Sequence, residues 1–175
     1  MRVEATLSVN GVDYPIEIDP HLSLLKAVRD AIGLTGAKEG CDDSECGACM
    51  MLLDGKPVNS CSYLALQARG KRVTTVEGLA GDGRLAPLQL AFLRAGGVQC
   101  GFCTPGMLIS ASALLAAHPD PSEDEIRVGL SGNLCRCTGY DGIVRAVRAV
   151  AEGSVDAEPA TPSHGDDTHH PHPAG

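Results

Sequence analysis

Gly40-Cys41-Asp42-Asp43-Ser44-Glu45-Cys46-Gly47-Ala48-Cys49 is the stretch on which the reading of this chain turns. Cys61 follows it and completes the spacing C-x4-C-x2-C-x11-C. Four thiolates converge on one flat inorganic core only if the loop that carries them wraps it, and a loop that wraps an anion must turn its backbone amides inward. Gly40 and Gly47 allow the positive-φ or crowded backbone that wrapping demands. Glu39, Asp42, Asp43 and Glu45 then have to point outward. The competing reading is zinc, but structural zinc sites favour paired C-x2-C knuckles over C-x4-C-x2-C.

The spacing of the first three cysteines matches the plant-type arrangement of a two-iron, two-sulfide cluster. The chain around them reads accordingly. Val3, Ala5, Leu7 and Val9 alternate with polar neighbours, Asn10-Gly11 is a type I′ turn pair, and Val12, Tyr14, Ile16 and Ile18 resume the alternation, which predicts a hairpin. Ser23 caps a predicted helix from Leu24 to Ile32, and Gly33 ends it. A second hairpin is expected around Cys49–Leu53 and Lys56–Cys61, turning at Asp54-Gly55, with a last strand at Val73–Val76. Hairpin, helix, loop, hairpin and strand make the order of a β-grasp domain over residues 1–79.

Beyond Gly78 the apolar period becomes helical. Pro87 opens a helix to about Ala95, stopped by Gly96-Gly97. Thr104-Pro105 starts a second, closed by His118-Pro119. Ser122 with Glu125 forms a capping box for a third, to about Leu130, and a fourth spans about Asp141 to Ala151. This predicts an all-α four-helix-bundle domain over residues 80–151. Residues 152–175 hold Glu-Pro, Thr-Pro, Asp-Asp and His-Pro pairs without apolar periodicity, the composition of a disordered tail. His164, His169, His170 and His172 could bind a metal in vitro, although the plain reading is a solvated tail.

The helical region carries the other four cysteines, Cys100, Cys103, Cys135 and Cys137, in the spacing C-x2-C-x31-C-x1-C. A C-x2-C pair alone serves zinc, redox and cluster sites alike. Two ligands one residue apart, however, span a two-iron core more readily than they close a zinc tetrahedron. Each half ends in Cys-Thr, and both threonines, Thr104 and Thr138, fall at or just before a helix start. The second site is therefore expected between two helix N-termini, whose partial positive charge favours an anionic cluster.

Composition sets the outer bounds. The chain has 175 residues, no Trp and only five aromatic residues, Tyr14, Tyr63, Tyr140, Phe92 and Phe102, so its core must come from Leu, Val, Ile and Ala. Two domains of this size each need a staple, because a lone core below roughly 80 residues is marginal. The net charge of −8 argues against nucleic acid as a partner. No run of apolar residues reaches membrane-spanning length, and Met1-Arg2 leads straight into the first alternating pattern without a signal-peptide pattern. The expectation is a cytoplasmic protein without a membrane partner, whose cysteines bind metal rather than pair with one another.

Three strings now carry a resemblance: Gly-Cys-Asp-Asp-Ser-Glu-Cys-Gly-Ala-Cys at 40–49, Gln-Cys-Gly-Phe-Cys-Thr-Pro-Gly-Met at 99–107, and Gly-Asn-Leu-Cys-Arg-Cys-Thr-Gly-Tyr at 132–140. At these motifs the sequence resembles the small iron–sulfur subunit of the molybdenum hydroxylases, the family of xanthine dehydrogenase, aldehyde oxidase and 4-hydroxybenzoyl-CoA reductase. The resemblance implies an α+β protein, a β-grasp 2Fe-2S ferredoxin domain followed by a four-helix-bundle 2Fe-2S domain. It implies two clusters that relay single electrons between a molybdopterin on a large partner subunit and FAD on a medium one, the whole a dimer of heterotrimers. It further implies that the bundle cluster faces molybdopterin, with Gln99 and Cys137 approaching the pterin and Arg136 at the contact, and that the β-grasp cluster faces FAD. The chain itself is not catalytic alone on this reading, and a free-standing two-cluster ferredoxin is the alternative.

Overall fold

The computed structural model of the protein describes residues 2–81 and 83–155. Strands β1 (Val3–Val9) and β2 (Val12–Ile18) pair antiparallel from Val3↔Ile18 to Val9↔Val12, turning at Asn10 (φ 52°) and Gly11 (φ 81°). The second hairpin, β3 (Met50–Leu53) with β4 (Lys56–Asn59), turns at Asp54 (φ 50°) and Gly55 (φ 81°). Strand β5 (Arg72–Thr74) joins them, parallel to β1 and antiparallel to β3, so the mixed five-stranded sheet has the order β2-β1-β5-β3-β4. Alternation sends Leu7 and Val9 of β1, Met51 of β3 and Val73 of β5 to one buried face.

Ser23 starts the segment that covers this face: its hydroxyl accepts from the Lys26 N–H at 3.3 Å. The single helix expected from Leu24 to Ile32 is in fact one α-turn, α1 (Leu24–Lys26), followed by a wider π-type turn over Ala27–Ala31. The Ile32 N–H reaches back to the Ala27 carbonyl, and Arg29 donates to the carbonyls of Thr35 and Ala37, tying the next loop to the widened end. Leu24, Leu25, Ala27 and Val28 are all fully buried against the sheet.

The last strand stops at Thr74 rather than Val76 because a side chain intervenes. Asn10, in the first hairpin's turn, accepts the Thr75 N–H through Oδ1 and donates to the Thr75 hydroxyl, both at 2.9 Å. Thr75 is thereby withdrawn from the ladder, and a 3₁₀ turn, Val76–Leu79, follows.

Four helices complete the described chain: α2 (Pro87–Arg94), α3 (Thr104–Ala117), α4 (Glu123–Gly129) and α5 (Asp141–Ala151). Pro87 stands in the first turn of α2, and Gly96 (φ 72°) lies just past its end. The capping box of α4 forms: the Glu125 N–H donates to the Ser122 hydroxyl, and the Glu125 carboxylate accepts the Ser122 N–H at 2.7 Å. Phe92, Met107, Ile126, Ile143 and Val147 are fully buried in a core of their own, separate from that of the sheet. Helix α3 also lies against β3 and β4, so the two halves touch. Past α5 the chain stays against this core through Val155, where the tail was expected from 152 onward. Residues 156–175, with His164, His169, His170 and His172, lie outside the described residues.

Candidate metal centres

The loop after the π-type turn delivers Cys41, Cys46 and Cys49, and the end of the second hairpin delivers Cys61. Backbone amides point at the sulfurs, as a wrapped anion requires. The Cys46 N–H donates to the Cys41 Sγ at 3.4 Å, and the amides of Ala48, Cys61 and Ser44 aim at the sulfurs of Cys46, Cys49 and Cys61. Two non-glycine residues, Asp42 (φ 63°) and Ser44 (φ 67°), take the left-handed conformation that achieves this. Glu39, Asp42, Asp43 and Glu45 are exposed, as expected.

The sulfurs gather in pairs. Cys49 contacts Cys61, both buried, and Cys41 contacts Cys46, both half-buried. In the helical half Cys103 contacts Cys135 on the inside, while Cys100 and Cys137, both exposed, meet at 3.5 Å on the outside. Among the described residues no three His, Cys, Asp or Glu side chains crowd about a single ion-sized point.

Within each inner pair the two thiols differ. Burial pushes Cys49 up to about 11 and Cys103 up to about 12. Burial works the same way on their partners but is outweighed. The Ser62 hydroxyl, Cys49, and the amide and hydroxyl of Ser44 bring Cys61 below the ordinary thiol range. The hydroxyl and amide of Thr138, with the Cys137 amide, bring Cys135 to about 7. Thr138 contacts the Cys135 Sγ twice, through Oγ1 at 3.2 Å and its N–H at 3.4 Å. The Tyr140 phenol oxygen accepts the Cys135 N–H at 2.7 Å, and Tyr140 itself sits in the left-handed region (φ 70°) at the start of α5.

The two loops are fastened to each other. The Leu134 N–H donates to the Cys46 carbonyl at 2.9 Å, and the buried Asn133 amide donates to the Gly47 carbonyl at 3.0 Å. Gly47 (φ 68°) has no room for a side chain, since a Cβ there would collide with the Gly132 carbonyl, and one on Gly106 would collide with the Gly47 carbonyl.

The outer pair of the helical half opens into a cleft of about 480 Å³ lined by Phe102, Leu134, Arg136 and Tyr140 with Cys100 and Cys137. Phe102 is 47% and Leu134 57% exposed, large apolar side chains left facing outward around two exposed thiols. Gln99 is exposed beside Cys100, and its amide takes part in no hydrogen bond among the described residues. The structure brings together the two four-cysteine sets that the spacing singled out. It did not single out Ser62, Tyr140 or Asn133, whose roles depend on chain segments that meet only in the fold.

Two family models match the chain, a 2Fe-2S iron–sulfur cluster binding domain over residues 7–79 and a [2Fe-2S] binding domain over residues 75–148. The nicotinate dehydrogenase small FeS subunit of Eubacterium barkeri is 49% identical over 151 residues, covering 86% of this chain and 96% of the relative. The chain belongs to the small iron–sulfur subunits of the molybdenum hydroxylases. The xanthine dehydrogenase iron–sulfur-binding subunit of Escherichia coli O157:H7 is 45% identical over 149 residues, covering 84% of this chain and 92% of that subunit. Among solved structures, a chain of quinoline 2-oxidoreductase from Pseudomonas putida 86 superposes with a TM-score of 0.84 at 46% identity, covering 87% of this chain and 96% of that one. This iron–sulfur subunit therefore has two 2Fe-2S-binding domains and carries electrons as part of an oxidoreductase complex. No helix among its described residues is long and apolar enough to cross a membrane.

Proposed function

We propose that Cys41, Cys46, Cys49 and Cys61 hold one 2Fe-2S cluster and Cys100, Cys103, Cys135 and Cys137 the other, with one contacting pair of sulfurs on each iron. The observation that carries this is the grouping itself: in each half four cysteines come together with their strongest interactions in two pairs, one turned inward and one outward. A two-iron core takes two thiolates at each end, whereas a single tetrahedral ion draws four to one point. Thr104 supports the fit, because its hydroxyl is buried directly after Cys103 with no partner among the described residues, a donor beside the site in want of an acceptor. When bound, each cluster supplies a one-electron acceptor, so two of them divide a two-electron event into single steps.

The chain's own residues do the rest. Inward amides and the Ser62 and Thr138 hydroxyls stabilise negative charge on the sulfurs. The tie between Leu134 and Cys46 keeps the two loops in register. On this reading residues 1–79 form a β-grasp domain and residues 80–151 a four-helix bundle. By family resemblance, the complex includes a large molybdopterin subunit and a medium FAD subunit, assembles as a dimer of heterotrimers and works in the cytoplasm. The exposed cleft with Phe102 and Leu134 suits burial against the large subunit, with Gln99 and Cys137 toward the pterin and Arg136 at the contact. On this reading Cys100, Cys103, Cys135 and Cys137 would hold the cluster nearer the molybdopterin and Cys41, Cys46, Cys49 and Cys61 the one nearer FAD, two one-electron carriers between them.

The test is a count and a deletion. The purified subunit should contain about four irons and four acid-labile sulfides per chain, from two clusters of the two-iron kind, with two distinct EPR signals on reduction. Cys46→Ser should remove or perturb one signal and leave the other. A single signal in the wild type, or zinc in place of iron, would refute the assignment; purification without any molybdenum-bearing partner would favour the free-standing ferredoxin instead.

A further inference from the structure

We infer that Ser44 and Ser62 form a two-hydroxyl relay onto Cys61 that raises the reduction potential of the sheet-half cluster, an inference that rests on the ligand assignment just proposed. Ser62 follows Cys61 directly, with its Oγ 3.6 Å from the Cys61 sulfur. Eighteen residues away in sequence, Ser44 places its own Oγ 2.5 Å from that of Ser62. The backbone fixes Ser44 in this position: it sits at φ 67°, its carbonyl accepts the Asn59 side-chain amide at 3.0 Å, and its N–H is aimed at the same Cys61 sulfur.

Chemistry gives the relay its direction. A cysteine bound to iron is a thiolate with no hydrogen to donate, so the contact with Ser62 has to be an O–H···S bond donated by Ser62. The one hydroxyl hydrogen of Ser62 is then committed to sulfur, and its oxygen must accept from the Ser44 hydroxyl. Each bond in such a chain polarises the next. Hydrogen bonds to ligand sulfur favour the state with one more electron, which raises the potential. The electron arrives without a proton, since both hydroxyl hydrogens stay on their own oxygens. Asp42, Asp43 and Glu45 on the same loop act in the opposite sense, because their negative charge disfavours reduction.

The other half obtains a comparable donor from Thr138, three residues from its own cysteine, Cys135. In the sheet half the donor depends on the loop at 42–45 closing over the hairpin end at 59–62. Ser44 is thus a positioning residue that reaches Cys61 through Ser62 as well as through its own amide and hydroxyl. A pair of serines that merely pinned the loop would alter stability and leave the potential where it was.

The experiment is an EPR-monitored potentiometric titration of the full-length, cluster-loaded chain. Ser62→Ala should lower the midpoint of the sheet-half signal by about 59 mV, the one-electron equivalent of a tenfold shift in the reduction equilibrium, with the helical-half signal unmoved. Ser62→Thr, which keeps a hydroxyl, should restore the wild-type value. Ser44→Gly tolerates the left-handed backbone and keeps the amide while removing the hydroxymethyl side chain, and should lower the midpoint in the same direction by a smaller amount. Unshifted midpoints in folded Ser62→Ala and Ser44→Gly, or an equal shift of both signals, would overturn the relay. If Ser62→Ala fails to load its cluster, Ser44→Gly decides by the same criterion. A wild-type chain lacking the sheet-half signal would instead overturn the ligand assignment, and the relay with it.

Discussion

In the sheet half, three cysteines lie on one short loop and the fourth follows a single hairpin later; in the helical half, 31 residues and two helices separate Cys103 from Cys135. The first set is built by local backbone, through left-handed residues and inward amides. The second is built by packing. Helix α3 begins beside Cys103, the Cys135–Cys137 loop leads into α5, and the distance between them is set by how Met107, Ile126 and Ile143 fill the helical core. A perturbation of that core should therefore reach one site and spare the other, except where the two loops are tied.

The tie offers the strongest way to break the contrast. Gly47→Ala adds a Cβ at a left-handed position and drives it into the Gly132 carbonyl, so neither the loop nor its neighbour can relax independently. Strain of this kind costs about 1–3 kcal/mol for the backbone alone, and the collision adds to it. Iron content and both EPR signals should fall together; retention of one at wild-type intensity would mean that the loops are separable. A smaller effect is expected from Met107→Ala. Met107 is fully buried, and its N–H donates to the Cys103 carbonyl at 3.0 Å. Truncation should cost about 2–5 kcal/mol and weaken the helical-half signal first, as read by thermal unfolding with parallel EPR.

The smallest effect lies at the far end of the helical half. Ser122→Ala removes the N-cap of α4 and should lower stability by about 1 kcal/mol, without moving either signal. Glu125 adds a pH dependence there. The Ser122 N–H and hydroxyl hold its carboxyl below the ordinary value. A depressed folded-state value means that the unfolded chain binds the proton more readily, so this stabilisation is complete above the ordinary glutamate range and lost as pH falls through the folded value. Glu125→Gln should flatten the slope of melting temperature against pH below about 5; an unchanged slope would assign that dependence to other carboxylates.

Local signals account for what was legible beforehand. Asn10-Gly11 and Asp54-Gly55 marked both hairpins, Pro87 and Gly96 bounded α2, and Ser122 with Glu125 began α4, each because the chemistry involved spans four residues or fewer. Cysteine spacing grouped the eight thiols for a similar reason, since side chains that converge are carried on neighbouring stretches of chain. What stayed hidden depends on segments that meet only after folding. Asn10 withdrawing Thr75 from β5 joins residues 65 apart, and Asn133 reaching Gly47 joins residues 86 apart. The widening of the chain after Lys26 follows from Arg29 gripping carbonyls of the next loop, which no apolar period records. Which sulfur meets which is likewise a property of the closed fold: Cys49 contacts Cys61 across a hairpin, and Cys100 contacts Cys137 across two helices.

The seam of Gly47, Gly106 and Asn133 bears on how such a chain can be recombined. Two halves with separate cores look like parts that could be exchanged among relatives. Yet Gly47 belongs to the first half, while Gly106 and Asn133, which close over it, belong to the second. A graft cut between the two halves would transplant one face of this joint and leave the other behind. A working chimera has to bring glycine at 47, glycine at 106 and asparagine at 133 from matched parents.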